Sequence, residues 1–373
     1  MLAAGFLAAL LASFLVCWGM LLSRRTHAKL SLDDTIPGLH KVHRTPVPRI
    51  GGFGILAGVV AGAAMLELEE AKWMLFFLLA SLPAFTGGFL EDLTRKVSPY
   101  SRLMFAFGAA AVGYFLVDAR ITDLDLPYDD YFFRYEVFAF GFTLFAVGGF
   151  AHATNIIDGM NGLSGFAASA ILGAIALVAM QVGDERVLCA ALIVMGATLG
   201  FLVWNFPRGV IFAGDGGAYF LGFAIATLAV LLVHRNSEVS PWFALLALWY
   251  PVWETIYSML RRRARGRSPA DPDGLHLHTL VYRRIVKLRE RPVARSAVTT
   301  LCMLALNVFT VVPAVLFWDE TWILQAYAAG FVLLYLWIYL RIARFGLPVG
   351  QIFRRKARKA GPRRLSRHPG RTL

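Results

Sequence analysis

Eleven apolar runs alternate with short polar connections, at about 2–22, 50–66, 73–90, 103–117, 137–153, 163–182, 187–204, 218–233, 242–260, 298–317 and 322–340. Apolarity is continuous within each run, without the alternation of a barrel strand, so each run predicts a helix. Most approach the roughly 20 residues that cross a bilayer, and the shorter ones extend into the headgroup region. The pattern predicts an all-α integral membrane protein with about 11 transmembrane helices. Pro251 predicts a kink in the ninth run, because its ring removes a backbone donor and clashes with the preceding turn. The first run has neither a basic n-region nor a small-residue cleavage site, and reads as a retained helix.

Composition agrees. Hydrophobic residues make up 58% of the 373 positions and charged residues 16%, which excludes an ordinary soluble domain. Charge then orients the chain. Of the 37 Lys and Arg residues, 32 fall in the segments that follow odd-numbered runs. The positive-inside rule places that side in the cytoplasm, the N-terminus outside and the C-terminus in the cytoplasm of a plasma (inner) membrane. Residues 1–340 read as one polytopic domain and 341–373 as a basic cytoplasmic tail. Arg354 through Lys359 in that tail suits anionic lipid headgroups, at about 1 kcal/mol per charge near the surface. Nucleic acid is not expected, since no aromatic-interleaved fold accompanies the charge. A homodimer is admitted but not specified. Cys17, Cys189 and Cys302 lie in apolar runs and read as small buried side chains.

The polar residues near glycine also gather on the basic side. Glu91-Asp92 closes the third run, and two carboxylates at a helix C-terminus oppose its dipole unless a cation or substrate offsets them. Asn155 and Asp158 share a face if helical, and Asn161 continues the series. Gly159, Gly162 and Gly165 let backbone amides approach an anion, although Asp-Gly and Asn-Gly pairs also make plain turns. Asp215, flanked by glycines, reads either as an N-cap or as a ligand-facing group. Asn205 lies ten residues earlier, so the two helix ends can converge. His276 and His278 fall on one side of an extended segment and read as phosphate or nucleotide contacts, or as interfacial histidines. Arg261, Arg262 and Arg263 set topology or clamp an anion. Thr45 through Gly52 gives a rigid entry to the second run, with glycines for close helix approach. Such hard oxygen donors suit Mg²⁺ or Mn²⁺ held together with substrate phosphates.

In order and spacing, these motifs resemble the polyprenyl-phosphate N-acetylhexosamine-1-phosphate transferases, the superfamily of the MraY and WecA enzymes (glycosyltransferase family 4). The likeness runs from Lys41 to His278, and the eleven-run layout is similar to the WecA branch. It covers the acidic pair Glu91-Asp92 with Arg95 beyond it, the string Asn155 through Gly162, Asn205 with Asp215, and His276-Leu277-His278-Thr279. Glu91 stands where the family usually has Asp, and Thr279 where a third His stands in the MraY branch. The resemblance implies transfer of an N-acetylhexosamine 1-phosphate from a UDP-sugar to polyprenyl (undecaprenyl) phosphate. UMP leaves, in the first membrane step of a cell-envelope polysaccharide such as O-antigen. It further implies Asp215 as a metal ligand with Asp92, and Asp92, Glu91 and Asp158 as catalytic groups. Asn155, Asn161, Asn205, Arg95, His276, His278 and Lys41 are implied in substrate binding.

The rival from another class is a secondary transporter with cytoplasmic-side polar sites. Transporters place binding residues near the midplane on broken helices, and Glu254 is the main residue here that lies inside a run. A CDP-alcohol phosphotransferase would need further aspartates at helical spacing, and 163–182 has none.

Overall fold

In the computed structural model, which describes residues 2–25, 46–268, 273–286 and 291–344, the regular elements among the described residues are helices. The principal ones are α1 (Leu2–Leu22), α2 (Gly51–Ala63), α3 (Leu68–Thr94), α4 (Pro99–Leu116), α5 (Glu136–Ile157) and α6 (Leu163–Gln181). They continue as α7 (Glu185–Asn205), α8 (Gly214–Arg235), α9 (Pro241–Ala247), α10 (Trp249–Ala264), α11 (Pro292–Leu316) and α12 (Thr321–Arg344). Lys41 and the basic tail beyond residue 344 lie outside the described residues, and 341–344 continue α12.

Eight helices among the described residues are long and apolar enough to cross a membrane: α1, α3, α5, α6, α7, α8, α11 and α12. The other predicted crossings coincide with α2, α4 and the pair α9–α10. The second run gives a helix of only 13 residues. The third run is longer than its apolar stretch, because helix continues back through the charged turn Glu69-Glu70. The ninth is broken rather than kinked, at Leu248 between α9 and α10. Pro251 supplies the reason: it has no N–H for the carbonyl of residue 247, and its ring crowds that carbonyl.

Local sequence sets several boundaries. The Ser98 side chain accepts the Ser101 N–H, with Pro99 opening α4. Asp184 caps α7 by accepting the Val187 N–H at 3.1 Å. Arg95 ends α3 in the left-handed conformation, φ 56°.

Helix α8 is the axis of the bundle. Its residues Gly214 through Leu232 are all buried, as expected of a helix that is apolar all round. It packs against α2, α3, α5, α6 and α7. Helix α1 lies outside, burying Gly5, Ala9, Ser13 and Cys17 against α2 and α7 while Leu7, Leu11 and Leu15 stay exposed. Cys17 is buried as expected, whereas Cys302 is exposed on α11. A second, smaller core joins Tyr250 of α10 to Phe331, Tyr335 and Tyr339 of α12. That core carries the histidine segment.

Close backbone approach holds the axis to its neighbours. Gly51 N–H donates to Phe212 O at 2.8 Å and Gly52 N–H to Ala213 O at 2.9 Å, which ties the entry of α2 to the loop before α8. A Cβ at Gly52 would lie 2.5 Å from the Gly217 nitrogen, and one at Gly88 would lie 2.5 Å from the Gly216 nitrogen. Gly88→Ala is therefore expected to lower the thermal unfolding midpoint of the detergent-solubilised protein, equivalent to about 1–3 kcal/mol of overpacking. Gly141→Ala, where a Cβ meets nothing within 4 Å, is the control and should not lower it. Equal midpoints would show that α3 and α8 are not packed this closely.

Candidate active site at one end of the bundle

The C-terminus of α3 meets the N-terminus of α8 through one side chain. Asp92, only 4% exposed, accepts the N–H groups of Asp215 and Gly216 on its two carboxylate oxygens, each at 2.9 Å. The acid that opposes the dipole of its own helix thus sits against the positive end of another. Gly214 makes the approach possible. Its φ is 72°, and a Cβ there would lie 2.5 Å from Asp92 Oδ2. Asp215 does not cap α8, because the helix begins one residue earlier and Asp92 supplies the acceptor.

Two arginines complete this cluster. Arg49 Nη2 lies 3.0 Å from Asp215 Oδ1 and 3.4 Å from Asp92 Oδ1, and Arg102 also pairs with Asp215. Glu91 faces elsewhere: its Oε2 accepts the Val97 N–H at 2.7 Å, fixing the turn beyond α3. Arg95 is exposed in that turn.

The string after α5 folds differently from the expected helical series. Helix α5 stops at Ile157, with Asn155 half-buried in its last turn and Asp158 at its C-cap. Gly162 then adopts φ 81° to open α6, so Asn161 leaves the helical face. The Ser164 hydroxyl donates to Asp158. Burial pushes the Asp158 carboxyl up to about 6, opposed by that hydroxyl and by the Arg49 guanidinium.

Asn161 and Asn205 spend their amides on backbone. Asn205 accepts the Gly162 N–H at 2.6 Å and donates to Ile211 O at 2.8 Å. Asn161 donates to Pro207 O at 3.0 Å, while Thr300 of α11 donates to the Asn161 carbonyl at 2.8 Å. These two residues join the 158–162 turn to the 205–213 loop. The helix ends of α7 and α8 do converge, and Asn205 is the strut between them.

The histidine segment reaches the same turn. His276 N-caps a one-turn helix, Leu277–Leu280, and its ring stacks on that of His278 with centroids 5.5 Å apart and 2° between planes. A Cβ at Gly159 would lie 2.6 Å from His278 Nε2, so the glycine makes room for the imidazole. His276 Nδ1 lies 3.0 Å from Glu254 Oε1. Behind them, Arg261 pairs with Asp273 and also bonds Tyr339 and the Leu275 carbonyl. Burial works to raise the Asp273 carboxyl, but the Ser258 hydroxyl, His276, Arg261 and the Leu275 N–H outweigh it and hold it below the usual range.

The structure thus brings Asp92, Asp158, Asp215, Asn155, Asn161, Asn205, His276 and His278 to one end of the bundle, and turns Glu91 toward the adjoining turn, where Arg95 is exposed. Arg102 and Ser164 join the site without having stood out in the sequence. Arg102 reads there as one more topology charge, and only its place in the first turn after Ser98-Pro99 hints otherwise. Tyr335 and Tyr339 look like ordinary residues of an apolar run.

Asp92 and Asp215 flank one guanidinium, so a cation of similar position fits between hard oxygen donors. Among the described residues no group of three or more His, Cys, Asp or Glu could hold a metal by itself. An ion here would complete its shell with phosphate oxygens and water, as Mg²⁺ commonly does.

Residues 74–233 match the model of glycosyl transferase family 4. The chain is 29% identical over 259 residues to a probable undecaprenyl-phosphate N-acetylglucosaminyl 1-phosphate transferase of Bacillus subtilis (strain 168), covering 68% of this chain and 71% of that one. It is 24% identical over 271 residues to the undecaprenyl-phosphate alpha-N-acetylglucosaminyl 1-phosphate transferase of Yersinia pestis, covering 71% and 73%. The likewise named protein of Escherichia coli (strain K12) is 24% identical over 268 residues, 70% and 72% of the two chains. The family match contains the acidic cluster and the 155–162 turn but stops before the histidines.

The tie between α3 and α8 can be tested directly. Asp92→Asn turns an amide donor toward one of the two N–H groups, and is expected to cost about 1–3 kcal/mol of stability in thermal denaturation. An unchanged midpoint would show that the carboxylate is not what holds the two helix ends.

Proposed function

We propose that this chain, which belongs to glycosyl transferase family 4, transfers a sugar 1-phosphate from a UDP-sugar to polyprenyl phosphate. UMP is released, and a polyprenyl-diphosphate-sugar stays in the membrane as the first lipid-linked intermediate of a cell-envelope polysaccharide. The observation that carries this reading is the convergence of the Arg49–Asp92–Asp215 cluster, the Asp158–Gly159 turn and the His276–His278 pair at one end of an apolar bundle. One substrate is soluble and the other is a lipid, so the reaction belongs where helices end.

Phosphoryl transfer needs chiefly positioning and neutralisation of developing charge. Asp215, with the remaining lone pairs of Asp92, would hold Mg²⁺ or Mn²⁺, which would neutralise phosphate charge when bound. Arg102 and Arg49 already counter the carboxylates and can turn to phosphate oxygens. Asp158 would accept a proton from, or orient, the attacking phosphate. Asn155, at the open end of α5, and His278 lie beside it for the nucleotide sugar. Asn161, Asn205 and Glu91 act by holding the loops in register.

The orientation that supports this chemistry has the N-terminus outside and both the site and C-terminus in the cytoplasm, with eleven crossings. Lys41, the tail and anionic lipids would contribute from that side. A fluorescent protein that matures only in the cytoplasm, fused after Leu373, is expected to glow; a dark, fully translated fusion would reverse the assignment.

The decisive assay incubates purified protein with Mg²⁺, undecaprenyl phosphate and a panel of UDP-N-acetylhexosamines. UMP release with at least one sugar is expected, and Asp215→Asn should lose most of it even at saturating Mg²⁺. Silence with every sugar would sink the enzyme reading and return attention to a transporter.

Acidity provides a further check. The Asp158 carboxyl is pushed up to about 6, so its ionised form is lost as pH falls through that value. Transfer should decline there. Ser164→Ala removes a donor that favours the carboxylate, so the acidic limb should move to higher pH. A limb that stays put, or moves down, would remove Asp158 from the rate-determining chemistry.

A further inference from the structure

Glu254 lies in the first two turns of α10, after the break at Leu248, and is 1% exposed. A carboxylate at that depth is costly, and an apolar side chain of similar volume often serves stability as well or better. What Glu254 has instead is direction. Oε2 accepts the Tyr335 hydroxyl of α12 at 2.7 Å. Oε1 accepts the Leu277 N–H at 3.1 Å and faces His276 Nδ1 at 3.0 Å. One side chain therefore joins α10, α12 and the histidine segment.

Its partners pass that direction on. A carboxylate only accepts, so His276 meets it with the proton on Nδ1. The far side of the same ring, Nε2, lies 3.7 Å from Asp273 Oδ2. The ring is thus bracketed by two carboxylates and stacked parallel on His278. His278 in turn presses Nε2 against Gly159, next to Asp158.

We propose that Glu254 is a positioning residue for the transfer reaction: it fixes the His276 ring, and through the stacked pair sets His278 against the Asp158–Gly159 turn. Tyr335 couples α12 to the same carboxylate, so the placement of that helix is transmitted to the site. The proposal rests on the transferase reading given above.

The test is a double-mutant cycle on the full-length purified chain, measuring kcat and KM for the UDP-sugar. Glu254→Gln keeps the volume but places an amide where a carboxylate faced Tyr335 and His276. It is expected to lower kcat/KM on the order of 100-fold, as misplacement of reacting groups can, with helical circular dichroism unchanged. His276→Gln should fall in the same direction. The double variant should be no lower than the weaker single, because one acts through the other. Tyr335→Phe, which keeps the charge and the His276 contact, should give a smaller loss and provides the cycle if Glu254→Gln does not fold. Near wild-type kcat/KM in Glu254→Gln, or losses that multiply, would overturn the proposal. If the wild-type protein releases no UMP, the transferase reading fails separately. Backbone hydrogen exchange across 273–280 then decides the positioning claim: faster exchange in Glu254→Gln supports it, and equal exchange overturns it.

Discussion

The carboxylate of Asp92 between two helix ends is the constraint on which the site depends. Oxygens held 2.9 Å from the first amides of α8 give those orphan donors an acceptor and give the acid a positive environment. Several residues follow from that contact. Gly88 and Gly214 are small because the α3 and α8 backbones must approach. Asp215 faces away from its own helix start, since the capping acceptor comes from elsewhere, and so is free to meet Arg49 and Arg102.

A second buried polar system supports the other half of the site. Glu254, Arg261 and Asp273 are largely enclosed, and each meets a partner of opposite charge or a tyrosine hydroxyl from α12. In apolar surroundings an unpaired member would be expensive, so loss of one partner destabilises the others that hold the histidine segment. The two systems meet at Gly159, where the absence of a side chain admits His278, and in the apolar contacts of Ile157 and Met160 with Leu277 and Leu280. Those contacts unite the Asp158–Gly159 turn with a segment more than a hundred residues away in the chain.

Much of the fold was legible because apolar length acts locally. The run at 163–182 became α6 with nearly its expected bounds, and 187–204 became α7. The ninth run was read as kinked, yet the proline's effect on the carbonyl four residues back split it into α9 and α10. The site was legible as a set of polar strings, but roles within them were not. Asn161 and Asn205 look like ligand groups in sequence, and in the structure their amides carry loop backbone. Arg102 looks like a topology charge, and in the structure it pairs with Asp215.

By itself the sequence determined that the chain is helical, built for a membrane, and polar at glycine-rich helix ends, because periodicity, apolar length and residue chemistry are properties of neighbouring positions. Tertiary structure alone decided which acid faces which cation, and that Glu254 and Tyr335 stand behind the histidines. Those pairings join residues far apart in the chain, and only the packing of α3, α8, α10 and α12 brings their charges within bonding distance.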